Sequence, residues 1–119
     1  MRDPVNLAQK LAQVDEPFLP KIVGRYNENK LMVAKVRGDF VWHAHEETDD
    51  LFLVLSGRLT IDLPERSVEL GPGELFVVPR GVRHRPHAEE ETHILLVEPA
   101  GTPNTGDSTD REPAPEEEL

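Results

Sequence analysis

The sequence predicts an all-β sandwich or barrel preceded by one short helix. Three observations lead there. From residue 21 onward, about seven or eight short apolar runs succeed one another, from "KIVGRY" to "HILLVEP", with Gly, Pro, Asn and Ser punctuating them at the spacing of a sandwich or barrel. Within the run "RLTIDL", apolar Leu59, Ile61 and Leu63 alternate with Arg58, Thr60 and Asp62, the period of a strand with one wet face. Apolar residues at helical spacing occur only before residue 20.

The elements follow in chain order. Leu7, Leu11 and Val14 share one helical face, Asn6 suits the N-cap, and Pro17 and Pro20 end the helical segment 1–20. "KIVGRY" and "LMVAKVRG" flank the turn-rich "NENK" and predict a hairpin; Gly38 interrupts the second strand and "FVWHAH" resumes it. "LFLVL" is apolar on both faces and should be central, and Ser56-Gly57 reads as a two-residue hairpin turn into "RLTIDL". "RSVEL", "ELFVV" and "HILLVEP" complete a barrel spanning 21–100, the last two separated by a basic loop and the acidic "AEEE". Residues 101–119, rich in Pro, Gly, Thr and acid, predict an acidic flexible tail, disordered or loosely draped.

Composition narrows the chemistry. The 119 residues suffice for one domain with a core. Cysteine is absent, which excludes disulfides, thiolate metal sites and a cysteine nucleophile, so any metal must be held by nitrogen and oxygen. No apolar run approaches membrane-spanning length, and a cytoplasmic location fits. Half of the net charge of −10 sits in the tail, where six carboxylates face one cation, Arg111. Cations cluster once, at Arg80, Arg83 and Arg85, and are expected to balance Glu89, Glu90 and Glu91; no basic face of the kind that binds nucleic acid is present.

The residues that carry chemistry begin in "HAHEETDD". In a strand, His43 and His45 point to one face, with Trp42 and Ala44 on the other and Phe40 expected with them as core or dimer contact. Asp50 opens the next strand and faces the interior with Phe52 and Val54, whereas parity turns Asp49 outward. His84 follows "ELFVVPRGVR" in a loop that a small barrel can bring to the same mouth, and His87 is expected to be an exposed loop histidine. The inferred pocket lining is Phe52, Val54, Leu59 and Ile61, with His93 and Leu95 sharing one face of the last strand. Leu51, Leu53 and Leu55, on the other face of the central strand, need cover from the N-terminal segment, another sheet or a second chain.

Two stretches resemble the paired motifs of the cupins. The first is Gly38-DFVW-His43-Ala-His45-EETD-Asp50-LFLVLS-Gly57; the second is Gly73-ELFVV-Pro79-Arg-Gly81-VR-His84-RPH-Ala88. Together they cover roughly residues 30–99. The resemblance implies a double-stranded β-helix, or jelly-roll barrel, with one divalent transition metal (Zn, Fe, Mn, Ni or Cu) near one mouth, held by His43, His45, Asp50 and His84. It also implies a homodimer. Two positions depart from the pattern. The family's glutamate is Asp50, one methylene shorter, so the strand start shifts, or a water bridges, or the metal rests on three histidines; the family's final asparagine is Ala88. The function expected is a metal-dependent enzyme acting on a small organic molecule in the barrel, as oxygenase, isomerase, cyclase or lyase. The alternative is a non-catalytic small-molecule or metal-binding sensor module.

Overall fold

The computed structural model describes residues 3–119. Helix α1 (Leu7–Leu11) precedes strands β1 (Lys21–Tyr26), β2 (Asn29–Asp39), β3 (Asp50–Ser56), β4 (Leu59–Asp62), β5 (Ser67–Leu70), β6 (Leu75–Val78), β7 (Arg85–Pro99) and β8 (Glu117–Glu118). The all-β barrel with a short helix is therefore as expected. Asn6 caps α1, its Oδ1 accepting from the Gln9 amide at 3.0 Å. The helix ends well before Pro17, after little more than one turn. So short a helix is unstable alone and persists here by packing. Leu11 and Val14 are buried with Val23 and Val33, beside Leu7, Leu55 and Leu95. At about 1.5–3 kcal/mol per buried aliphatic side chain, this outer cluster anchors the segment. It also supplies the cover that Leu55 requires.

Strand β7 organises the barrel. Along one edge it pairs antiparallel with β2, from Asn29↔Pro99 to Asp39↔His87. Along the other it meets β3 (Leu51↔Val97 to Ser56↔His93) and then β4 (Thr60↔His87 to Asp62↔Arg85). This corrects the expected hairpin at Ser56-Gly57: β3 and β4 lie end to end on one edge of β7 and turn a corner between them. It also corrects the division at "AEEE". Glu89, Glu90 and Glu91 belong to β7, where they oppose the single residue Arg37 in a bulge between Val36↔Thr92 and Gly38↔Ala88. Such a bulge bends the strand and turns its extra residues to solvent, so three carboxylates are tolerated in mid-strand.

"FVWHAH" is not a strand. Residues 40–49 are irregular apart from one antiparallel bridge, His43↔His84. Nor is the C-terminal segment detached in the structure. β8 pairs parallel with β1, Glu116 meets Lys30 Nζ at 2.7 Å, and Thr105 is fully buried. The interior holds Phe18, Ile22, Met32, Phe40, Phe52, Val54, Leu59, Ile61, Ile94 and Leu96, among others. Among the described residues, no helix is long and apolar enough to cross a membrane.

The corner depends on Gly57. Its φ is +88°, and a Cβ there would lie 2.5 Å from Thr92 Oγ1 and 3.0 Å from Thr92 Cα. The Thr92 hydroxyl accepts from the Arg58 amide at 3.2 Å, which ties the corner to the middle of β7. Gly57→Ala is therefore expected to lower unfolding free energy by about 2–4 kcal/mol, read as a fall in urea midpoint at unchanged m-value.

Candidate metal centre

The bridge at His43 and His84 brings the two histidine stretches together. His43 N–H donates to the His84 carbonyl at 3.0 Å and His84 N–H to the His43 carbonyl at 2.8 Å. The rings follow the backbone, with centroids 4.3 Å apart for His43–His84 and 5.0 Å for His43–His45. Asp50, at the first position of β3, faces inward as parity predicts and places Oδ2 3.2 Å from His84 Nε2 and 3.3 Å from His45 Nε2. The four side chains are buried, and each offers a donor atom within 4.8 Å of the others. The shorter aspartate thus reaches the cluster. Asp49 does not join it; its Oδ1 accepts from the Arg80 amide at 2.9 Å on the surface.

Hydrogen bonding defines what the cluster lacks. His43 Nδ1 and His84 Nδ1 each lie 2.9 Å from a backbone carbonyl, of Val41 and Val82. A carbonyl only accepts, so each Nδ1 carries the proton and a neutral ring keeps its Nε2 lone pair toward the centre. His84 Nε2 faces the Asp50 Oδ2 at 3.2 Å, a contact that either a second ring proton or a bound cation satisfies. Buried Asp50 Oδ1 and His45 Nε2 have no hydrogen-bond partner. One divalent ion with bonds of about 2.0–2.2 Å would satisfy all these atoms once the ligands draw in slightly. The residues fit a metal.

The electrostatics agree. Burial, then the neighbouring His84, pushes the His43 pKa down to about 4, so it is neutral and ready to ligate. Burial alone would lower His45 too, but the Asp50 carboxylate beside it outweighs that and raises it. For Asp50 itself, burial works upward, and the two imidazoles of His45 and His84 close against its Oδ2 overcome it and hold the carboxyl below its ordinary range.

Comparison with known proteins identifies the family of the fold. The family model for the cupin domain matches residues 30–98. This chain belongs to the cupin family. An uncharacterized Bacillus subtilis (strain 168) protein, YdbB, is 30% identical over 94 residues, 78% of this chain and 83% of that protein. A cupin-2 domain containing protein from Shewanella frigidimarina superposes with a TM-score of 0.79 at 36% identity, over 80% of this chain and 93% of that one. Hydroquinone 1,2-dioxygenase from Sphingomonas sp. TTNP3 reaches a TM-score of 0.76 at 19% identity, over 83% of this chain and 33% of that one, a likeness of fold alone.

The cupin barrel encloses a narrow cavity of about 40 Å³ beside the cluster. Phe18, Val36, Phe40, Phe52, Ile94 and Leu96 contribute apolar wall; Lys35, His43, Asp50, Glu98 and Asn104 are polar. Of the expected lining residues, Phe52 takes part, while Val54, Leu59 and Ile61 fill the core. His93 and Leu95 are on the opposite face. His93 Nε2 pairs with Glu91 at 3.0 Å and Leu95 joins the outer cluster under α1. "HILLV" is apolar on both faces, so hydrophobicity alone does not say which side turns in; Thr92, Ile94, Leu96 and Glu98 do. Phe40 is a core residue, as expected, but on the histidine side rather than opposite it, meeting the His43 ring edge-on at 5.5 Å. His87 is in β7 and pairs with Asp62 at 3.1 Å rather than lying free in a loop. Arg85 pairs with Asp62 at 2.9 Å, and Arg83 and Arg85 cover Trp42, so this basic group is not matched to Glu89–Glu91 as expected.

Glu98 is the residue sequence reasoning missed. It is 3% exposed and its Oε2 has no partner. Lys30, its register partner on β2, is committed elsewhere, to Glu116 and the Thr102 carbonyl. Burial, then the Asp50 charge, raises the Glu98 pKa from 4.5 to about 8. In the metal-free protein the folded state therefore keeps a proton that the unfolded chain releases, and Glu98 should cost stability progressively as pH rises from about 4.5 to about 8. Glu98→Gln removes that dependence: urea midpoints measured in chelator should show wild type losing ground to the variant between pH 5 and pH 8.

Proposed function

We propose that this cupin is a metal-dependent enzyme acting on a small organic molecule, with His43, His45, Asp50 and His84 holding one divalent transition ion. The observation that carries the reading is the cavity wall: mostly apolar, with His43 and Asp50 of the cluster and Glu98 among its few polar members, beside Lys35 and Asn104. Zinc, iron, manganese, nickel and copper all accept such nitrogen and oxygen donors. When bound, the ion supplies Lewis-acid activation of a ligand oxygen or, for a redox metal, electron transfer. The chain's own residues do the rest. His43 and His84 are held by their Nδ1–H bonds with Nε2 turned inward, and Asp50 lends the negative charge that a cation needs. Glu98 holds a proton on a carboxyl at the cavity wall, the arrangement of a general acid. Phe18, Phe40 and Phe52 supply apolar wall to the same cavity. An acid–base reaction, isomerisation or elimination, is the class these groups equip best; oxygenase and cyclase chemistry would use the same cluster.

A non-catalytic metal- or ligand-binding module is the second reading. The narrowness of the cavity favours it, since about 40 Å³ suits water molecules or a small polar head rather than a bulky substrate. We further propose a homodimer. Leu75 (58% exposed) and Val77 (40% exposed) stand on β6 beside half-buried Leu53 and Leu51 of β3, an apolar face that α1 does not reach.

Elemental analysis of tag-free protein should find about one metal per chain, and none in His43→Ala/His45→Ala. Stripping the metal should lower the melting temperature, with recovery on adding it back. Metal-free wild type that takes up no ion on reconstitution would sink the metal reading. For the dimer, Leu75→Lys/Val77→Lys should halve the mass seen by sedimentation while leaving metal content unchanged.

A further inference from the structure

The segment that carries His43 and His45 belongs to no strand, and one of its edges is held by the bridge to His84, by Gly81 N–H donating to the His45 carbonyl at 2.8 Å and by Phe40 N–H donating to the Pro86 carbonyl at 3.0 Å. The chain beyond the barrel holds the other. Ala44 N–H donates to Asp107 Oδ1 at 2.8 Å, and Asp107 N–H donates back to the Ala44 carbonyl at 3.0 Å. The residue before it fits as closely. Gly106 has a φ of +53°, and a Cβ there would collide with the Ala44 carbonyl oxygen and lie 3.0 Å from His43 Cδ2. The same stretch closes over the cavity. Asn104 lines it and donates from Nδ2 to the Phe18 carbonyl at 3.4 Å. The Arg111 guanidinium lies 5.4 Å from the ring centroids of both Phe18 and Phe40, two cavity residues stacked on each other. All of these tail residues lie outside the 30–98 segment that the cupin family model matches.

We propose that Gly106 and Asp107 are positioning residues for the metal centre, a clasp that fixes the His-Ala-His segment from outside the family's barrel. The inference rests on the reading of His43 and His45 as metal ligands. Its physical basis is preorganisation. A segment outside any strand and held along only one edge loses conformational freedom when two of its side chains are captured by an ion, and the clasp on the other edge removes part of that freedom beforehand. Asp107 touches neither ring: its hydrogen bonds act through the Ala44 backbone, and its charge also reaches His43 and His45, a contribution that Asp107→Asn removes while keeping the acceptor. Residues that orient metal ligands from outside the coordination sphere typically change metal affinity by about 10–100-fold when lost, and that is the scale expected here.

The test uses the full chain and four variants. Asp107→Ala removes the acceptor for Ala44 N–H. Asp107→Asn keeps an oxygen acceptor at that place. Gly106→Ala introduces the colliding Cβ. Glu117→Ala is the control: it breaks a tail contact remote from the cluster, the 2.6 Å pair with Lys21. Two quantities are read: amide exchange at Ala44 in the metal-free protein, by mass spectrometry, and affinity for Zn²⁺ and Ni²⁺ against a chromophoric chelator. The expected result is Ala44 exchange at least tenfold faster in Asp107→Ala and Gly106→Ala, with metal affinity lowered about tenfold or more. Asp107→Asn should restore most of both, and Glu117→Ala should change neither. Unchanged Ala44 exchange in Asp107→Ala overturns the clasp. Faster exchange with metal affinity equal to wild type overturns its positioning role. Wild type that binds neither ion brings down the metal reading by itself, and Ala44 exchange then still decides whether Asp107 holds the segment.

Discussion

The pairing of β7 with three other strands is the constraint from which the site follows. Its 15 residues are too long to stay straight in so small a barrel, and the bulge at Glu89–Glu91 is where it bends. The bend lets one edge of β7 serve two successive strands, β3 near its C-terminal end and β4 near its N-terminal end. β3 is thereby placed with Asp50 at the barrel mouth, and the chain entering β7 delivers His84 to the same place. Ala88, opposite Gly38 beside the bulge, is buried where a larger polar side chain would need a partner.

Within that frame, two carboxyl groups in one low-dielectric interior are driven in opposite directions. Asp50 has two imidazoles against it and stays ionised; Glu98 has no hydrogen-bonding partner for Oε2 and is held neutral by burial and by Asp50 itself. Such a division of labour, one carboxylate to hold positive charge and one carboxylic acid to hold a proton, is set by neighbours rather than by residue type. Neutral Glu98 also avoids placing a second uncompensated charge beside the cluster.

Much of this was legible in the sequence, for identifiable reasons. The Asn6 cap and the hairpin of β1 and β2 depend on contacts a few residues apart. Asp50, Phe52 and Val54 followed from strand parity, because β3 does run as a regular strand from Asp50. Parity failed at Phe40 because residues 40–49 are not a strand, so His43, Ala44 and His45 are all buried. It failed at His93 and Leu95 for a different reason: both faces of β7 are covered, one by the interior and one by α1, and apolar residues occupy both. Only the polar inward residues Thr92 and Glu98 distinguish them, and a hydrophobicity argument would have turned those outward. The seating of residues 101–119 was illegible because composition reports average solvation, whereas the segment is placed by a few specific long-range pairs, Asp107 with Ala44 and Glu116 with Lys30.

Lys30 gives that seating a thermodynamic consequence. Its side chain is only 4% exposed, and the two acceptors of its ammonium, the Glu116 carboxylate and the Thr102 carbonyl, both come from the C-terminal segment. Lifting the segment would break both contacts at once and uncover the side of Lys30 that Asn104, Ala114, Pro115 and Glu116 adjoin. Fraying of the segment is therefore opposed by its hold on the barrel wall. Barrel and tail are bound into one cooperative unit and should melt in a single transition, with the acidic stretch acting as the counter-ion that the barrel carries within its own chain.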